Sequence, residues 1–137
     1  MSENTQQTIL IVDDYEDIRH LLREWLERSG YHVVEAADGK EAVEVARREH
    51  PSLILMDLYL PEIDGYVATA QIRRQEALRH VPIVGTSAYG ESGVDIQLQI
   101  DPLAVGFNAY VAKPFSPEKL AEIVERYVPK SRSAVGV

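Results

Sequence analysis

With 137 residues, 45% of them hydrophobic, the chain is sized for a single domain and long enough to bury a core without covalent staples. It has no cysteine, which excludes a disulfide framework and a thiolate metal site, and no apolar run near the roughly 18 residues of a membrane span. A net charge of -8 and a pI near 4.9 argue against sequence-independent DNA binding, which needs a basic surface; any DNA-directed output would run through another protein. The polar opening, Met1 to Thr8, carries no signal-peptide core, so a soluble cytoplasmic protein without membrane contact is expected.

Residues 1–7 read as a flexible N-terminus, 8–128 as the domain and 129–137 as a flexible tail. The first strand, Thr8 to Val12, is nearly all apolar and stops at Asp13-Asp14. Ile18, Leu21, Leu22, Trp25 and Leu26 then recur at helical spacing, with Gly30 closing the helix as a left-handed cap. A second strand covers Tyr31 to Glu35. Asp38 with Glu41 three residues on reads as an N-cap and its reciprocal partner, opening a helix to about Glu49 that stops before Pro51.

The third strand, Leu53 to Met56, ends at Asp57, and Asp64-Gly65 begins a helix through Gln75. Val81 to Thr86 forms the fourth strand, with Thr86-Ser87 at its end. From Tyr89 to Val105 the topology expects a helix, yet Val94, Ile96, Leu98 and Ile100 alternate with period two. Pro102 after Asp101 offers the start of a short helical turn ending at Gly106. The fifth strand, Ala109 to Ala112, stops at Lys113-Pro114. Ser116 then caps a helix with Pro117 in its first position and Leu120, Ile123, Val124 and Tyr127 on one face.

Strands alternating with helices predict an α/β fold: a five-stranded parallel sheet with helices on both faces. The first, third and fourth strands are nearly continuous in apolar residues, as central strands covered on both sides must be. Asp13, Asp14, Asp57 and Lys113 then converge at the carboxyl edge of the sheet, where such folds hold their ligands. An isolated Asp-Asp at a strand end is ordinarily a helix cap. A third carboxylate crowds negative charge enough to call for a cation, and hard oxygen donors that leave room for water suit magnesium. A lysine at the same edge can neutralise an incoming phosphoryl group, and Thr86-Ser87 brings hydroxyls there.

The motifs Val12-Asp13-Asp14, Met56-Asp57-Leu58 with Leu60-Pro61-Glu62-Ile63-Asp64-Gly65, Pro82 to Ala88, and Tyr110-Val111-Ala112-Lys113-Pro114-Phe115 stand in one order on this pattern. From about Thr8 to Tyr127 the chain resembles a receiver domain of the two-component response-regulator family. The resemblance implies a flavodoxin-like (βα)5 fold with strand order 2-1-3-4-5. It implies that Asp57 accepts a phosphoryl group from a sensor histidine kinase or a histidine phosphotransfer protein. Asp14, Asp57 and the backbone carbonyl of Tyr59 would bind magnesium directly, with Asp13 acting mainly through water. Ser87 would hydrogen-bond a phosphoryl oxygen, Lys113 would pair with the group, and the Lys113-Pro114 bond would be cis. Ser87 and Tyr110 would switch the face formed by the fourth helix, fifth strand and fifth helix, which meets a downstream protein target. The expected product is a stand-alone phosphoacceptor that promotes its own phosphotransfer and autodephosphorylation, not a conventional enzyme.

Three features depart from the family pattern. Serine stands at position 87 where threonine is common and keeps the hydroxyl. The spacing from Ser87 to Lys113 is several residues longer than is common, which suggests a remodelled output face. Tyr59 and Tyr89 each lie two positions after a site residue, where bulky rings would either slow the attacking water or lie over the surface without effect on it. Other functions fit less well. A small magnesium-dependent aspartyl-phosphate phosphohydrolase resembles Asp-x-Asp at the nucleophile, and Leu58-Tyr59 follow Asp57 here. A flavin binder needs a Ser-, Thr- and Gly-rich loop where Asp13-Asp14-Tyr15-Glu16-Asp17 stands. A degenerate receiver, binding partners without phosphorylation, is the remaining alternative, although every member of the acceptor set is present.

Overall fold

In the computed structural model, which describes residues 6–60, 63–87 and 105–128, five strands form one parallel sheet. They are β1 (Thr8–Val12), β2 (His32–Ala36), β3 (Leu53–Asp57), β4 (Ile83–Ser87) and β5 (Ala109–Ala112), in the order β2-β1-β3-β4-β5. This is the expected strand order. The helices are α1 (Glu16–Arg28), α2 (Gly39–Glu49), α3 (Gly65–Arg73) and a helix at Pro117–Tyr127, with a 3-10 turn at Glu76–Leu78. No described helix is long and apolar enough to cross a membrane.

Strand periodicity divides the core in two. On one face, Leu10, Val12, Ile54, Met56 and Ile83 pack with Ala42, Val45 and Ala46 of α2 and Ala68 and Ile72 of α3. On the other, Ile9, Ile11, Leu53, Leu55 and Val84 meet Leu22 and Leu26 of α1 and Leu120, Ile123 and Val124 of the Pro117–Tyr127 helix. Alternate residues of β1 and β3 therefore serve opposite cores, which is why these strands must be apolar at every position. Each fully buried Leu or Ile contributes about 1.5–3 kcal/mol, so the central strands supply much of the driving force.

Local chemistry sets the boundaries. Asp38, Asp64 and Ser116 each accept the backbone N–H three residues on, capping α2, α3 and the Pro117–Tyr127 helix. Glu41 completes the cap of α2 by accepting the N–H of Ala37, one residue before the cap itself. At the end of α1, Gly30 has a φ of 96°, and the N–H groups of Gly30 and Tyr31 return to the carbonyls of Glu27 and Leu26. That is a Schellman cap, and it takes Tyr31 out of β2, which begins at His32.

Two further boundaries move for related reasons. The Val81 N–H is bound to the Leu78 carbonyl and Pro82 has no N–H to give, so β4 starts at Ile83 and runs through Ser87. α3 stops at Arg73 rather than Gln75, because Gln75 turns extended to open the 3-10 turn. The ambiguous stretch 89–104, and with it the expected remodelling of the output face, lies outside the described residues. So do positions 1–5 and 129–137, while at Gln7 the backbone carbonyl already accepts from His32 at 2.9 Å.

Register makes the carboxyl ends level. Val12 pairs with Met56, Asp57 with Thr86, and Ser87 with Ala112, so the residues that follow β1, β3 and β5 emerge at one edge.

Candidate functional site

Asp13 and Asp57 are both buried, 2% and 5% exposed, although neither belongs to an apolar class. Their common partner explains this. The Lys113 ammonium donates to Asp13 Oδ2 at 2.7 Å and to Asp57 Oδ2 at 3.0 Å. The remaining oxygens are met by backbone: Tyr15 N–H donates to Asp13 Oδ1 at 2.9 Å and Tyr59 N–H to Asp57 Oδ1 at 3.0 Å. Buried charge is tolerable here because it is paired and hydrogen-bonded.

Burial pushes the Asp57 carboxyl above its ordinary value; Lys113 and the Tyr59 N–H pull it down, and Asp13 pushes it further up. Burial works the other way on Lys113, but hydrogen bonding to Asp13 and the charges of Asp57 and Asp13 outweigh it and hold the ammonium above its ordinary value.

Asp14 is exposed, and one carboxylate oxygen from each of Asp13, Asp14 and Asp57 lies within 4.8 Å of the others. Three carboxylates face one ammonium, so the edge carries excess negative charge. Hard oxygen donors, one open to water, fit a magnesium ion. The sheet thus brings together Asp13, Asp14, Asp57 and Lys113. Ser87 joins them at the edge, buried, its carbonyl accepting the Lys113 N–H at 2.6 Å. The Lys113-Pro114 peptide is cis. Tyr59 is half-buried beside the α2 and α3 core. Tyr110 stands lower, opposite Gly85, lining a groove between β5 and the Pro117–Tyr127 helix with Ala112, Ile123 and Tyr127. Tyr89 lies outside the described residues.

One set of contacts was not expected from the sequence. Arg19 of α1 donates from Nη1 to the Asp13 carbonyl at 2.7 Å and from Nε to Glu35 Oε1 at 2.8 Å. A carboxylate following Val33-Val34 in β2, with arginines at i and i+4 on the neighbouring helix, is the signal that was there to be read.

A strand-end triad of acids, two of them bridged by one lysine, narrows the family, and the family model for the response regulator receiver domain matches residues 9–125. The chain belongs to this family. It is 34% identical to the polar-differentiation response regulator DivK of Brucella ovis over 122 residues, 89% of this chain and 96% of that one. Among solved structures it resembles the receiver domain of sensor histidine kinase PA1611 from Pseudomonas aeruginosa, with 39% identity and a TM-score of 0.81. That match covers 92% of this chain and all of the other, whose active-site cleft coordinates a magnesium ion. The chemotaxis protein CheY4 of Vibrio cholerae is similar at 29% identity and a TM-score of 0.81, covering 90% of this chain and 100% of that one.

Proposed function

We propose that this receiver accepts a phosphoryl group on Asp57, in a magnesium-dependent transfer from a histidine kinase or histidine phosphotransfer protein, and thereby changes the surface it offers a protein target. The observation that carries the reading is the Lys113 ammonium shared between Asp13 and Asp57, with Asp14 close enough to complete a three-carboxylate set.

Asp13, Asp14 and Asp57, with the Tyr59 carbonyl, would hold magnesium. When bound, it would neutralise charge on the phosphoryl oxygens and draw them toward the acid cluster. The chain's own residues do the rest. An ionised Asp57 oxygen forms the new bond to phosphorus as the donor's P–N bond breaks and the electron pair leaves with the imidazole. No separate base is needed, because the nucleophile carries no proton. Lys113 turns from Asp57 to the transferred group, and Ser87 donates its hydroxyl to a phosphoryl oxygen. Replacing a single carboxylate charge by a dianion is the signal, and Ser87 with Tyr110 relays it toward the β5 groove.

Acetyl phosphate with magnesium tests this directly. Intact mass should show a phosphoryl adduct that is absent in Asp57→Asn and absent when magnesium is chelated. A chain that forms no adduct, or an Asp57→Asn variant that still forms it, overturns the assignment.

A further inference from the structure

Asp13 is gripped at four points, and only one of them is the lysine. Its N–H donates to Ala36 at 3.2 Å, its two carboxylate oxygens accept from Tyr15 and Lys113, and its carbonyl accepts from Arg19 at 2.7 Å. The last contact fixes the peptide joining Asp13 to Asp14, because the Asp13 carbonyl belongs to that peptide plane. Asp14 is exposed and its carboxylate has no hydrogen bond or ion pair among the described residues, so that plane is the held part from which its side chain extends.

Arg19 is itself held. Its Nε donates to Glu35, and the two side chains are only 15% and 16% exposed. The other Glu35 oxygen takes Arg23 Nη1 at 2.7 Å, while Arg23 Nη2 donates to the Val33 carbonyl at 2.6 Å. A guanidinium is a rigid plane, so fastening one of its edges to Glu35 aims the other. Glu35 sits beside Ile11 in the parallel pairing of β1 and β2, two residues before the acidic turn. The chain of contacts therefore runs from an edge strand, through a helix, to the backbone between the two acids.

We propose that Arg19, aimed by Glu35, is a positioning residue for the Asp13-Asp14 turn: it sets the peptide from which Asp14 reaches the metal. The inference rests on the metal and phosphoacceptor reading above. Arg23 makes comparable contacts to Glu35 and β2 but none to the acidic turn, and it supplies the control. Partners that orient metal ligands are worth about 10–100-fold in affinity.

The test is calorimetric titration of the full chain with magnesium chloride, in wild type, Arg19→Met, Glu35→Gln and Arg23→Met. Arg19→Met should weaken magnesium binding about tenfold and Glu35→Gln less, while Arg23→Met stays within about twofold of wild type. In metal-free protein, amide exchange at Tyr15 should accelerate in Arg19→Met and not in Arg23→Met. A folded Arg19→Met that binds magnesium as wild type does, or an Arg23→Met weakened equally, overturns the proposal. Should Arg19→Met fail to fold, unchanged affinity in Glu35→Gln overturns it as well. Wild type that binds no magnesium instead removes the reading beneath it.

Discussion

Lys113 and Asp57 stand 56 residues apart in the chain and meet at 3.0 Å. The same ammonium holds Asp13 at 2.7 Å, so one cation keeps two buried acids together at the end of the sheet. Its balance against those acids sets the cost of burying them.

Replacing Asp57 by Asn should stabilise the metal-free protein. Burial and Asp13 raise the Asp57 pKa above its unfolded value, despite Lys113. A raised carboxyl is stabilising where it is protonated and loses that contribution as pH rises through the folded value. Above that value the wild type carries the cost of an ionised buried acid and the variant does not, while Lys113 remains paired with Asp13. Thermal melts without magnesium should give a Tm several degrees higher for Asp57→Asn, the response to about 1 kcal/mol in a domain of this size. The gap should close as the pH is lowered or magnesium is added to the wild type.

Lys113→Met should do the reverse. It leaves Asp13 and Asp57 facing each other without a cation, at a cost of about 3 kcal/mol, the low end for breaking a buried pair because the lysine is 20% exposed. Magnesium no longer competes with an ammonium, so it should raise the Tm of the variant more than that of wild type. In the wild type, the raised Lys113 pKa means its contribution is complete below 10.5 and disappears as pH climbs through the higher folded value. Melting curves with and without magnesium, followed into the alkaline range, check both statements.

Gly65 opens α3 directly against the backbone of Asp57 and Leu58. A Cβ there would collide with the Asp57 carbonyl and stand 2.9 Å from Leu58 Cα, while the Gly65 N–H already donates to the Leu58 carbonyl at 3.0 Å. Gly65→Ala should therefore cost about 1–3 kcal/mol in urea unfolding, as overpacking does. It should also weaken magnesium binding, since the strand end that must give way carries Asp57 and leads to Tyr59.

Tyr59 binds Asp57 Oδ1 through its N–H, and its half-buried ring packs against the α2 and α3 core two positions after Asp57. Tyr59→Asn keeps the backbone donor and removes the ring. The phosphorylated variant should lose its phosphoryl group several-fold faster, measured by intact mass after the donor is removed. An unchanged lifetime would show that the ring lies clear of the attacking water.

Most of the fold was legible because strand and helix periods carry it. Leu10, Ile54 and Ile83 announce central strands by their company, and Asp38, Asp64 and Ser116 announce helix starts by their side chains. The acids and the lysine were legible because each interrupts an apolar run. What escaped was side chain to backbone bonding between distant elements, which has no period. Arg73 is the clearest case: it donates to the carbonyls of Leu78, Arg79, Val81 and Gly106 and to Asn108 Oδ1, pinning the end of α3 and the turn after it to the approach to β5. Nothing in Ile72-Arg73-Arg74 marks which arginine does this. The Arg19 contact to Asp13 escaped for the same reason.

Asp13 and Lys113 are 100 positions apart, and they meet only because β1, β3, β4 and β5 are all in register between them. No fragment containing Asp57 and its local neighbours holds the lysine, and contacts this distant in sequence form only once the intervening loops are closed. The Asp13, Asp57 and Lys113 cluster thus exists only once assembly is complete. Under the proposed role, a partner that reads this site would therefore read completed assembly along with the signal.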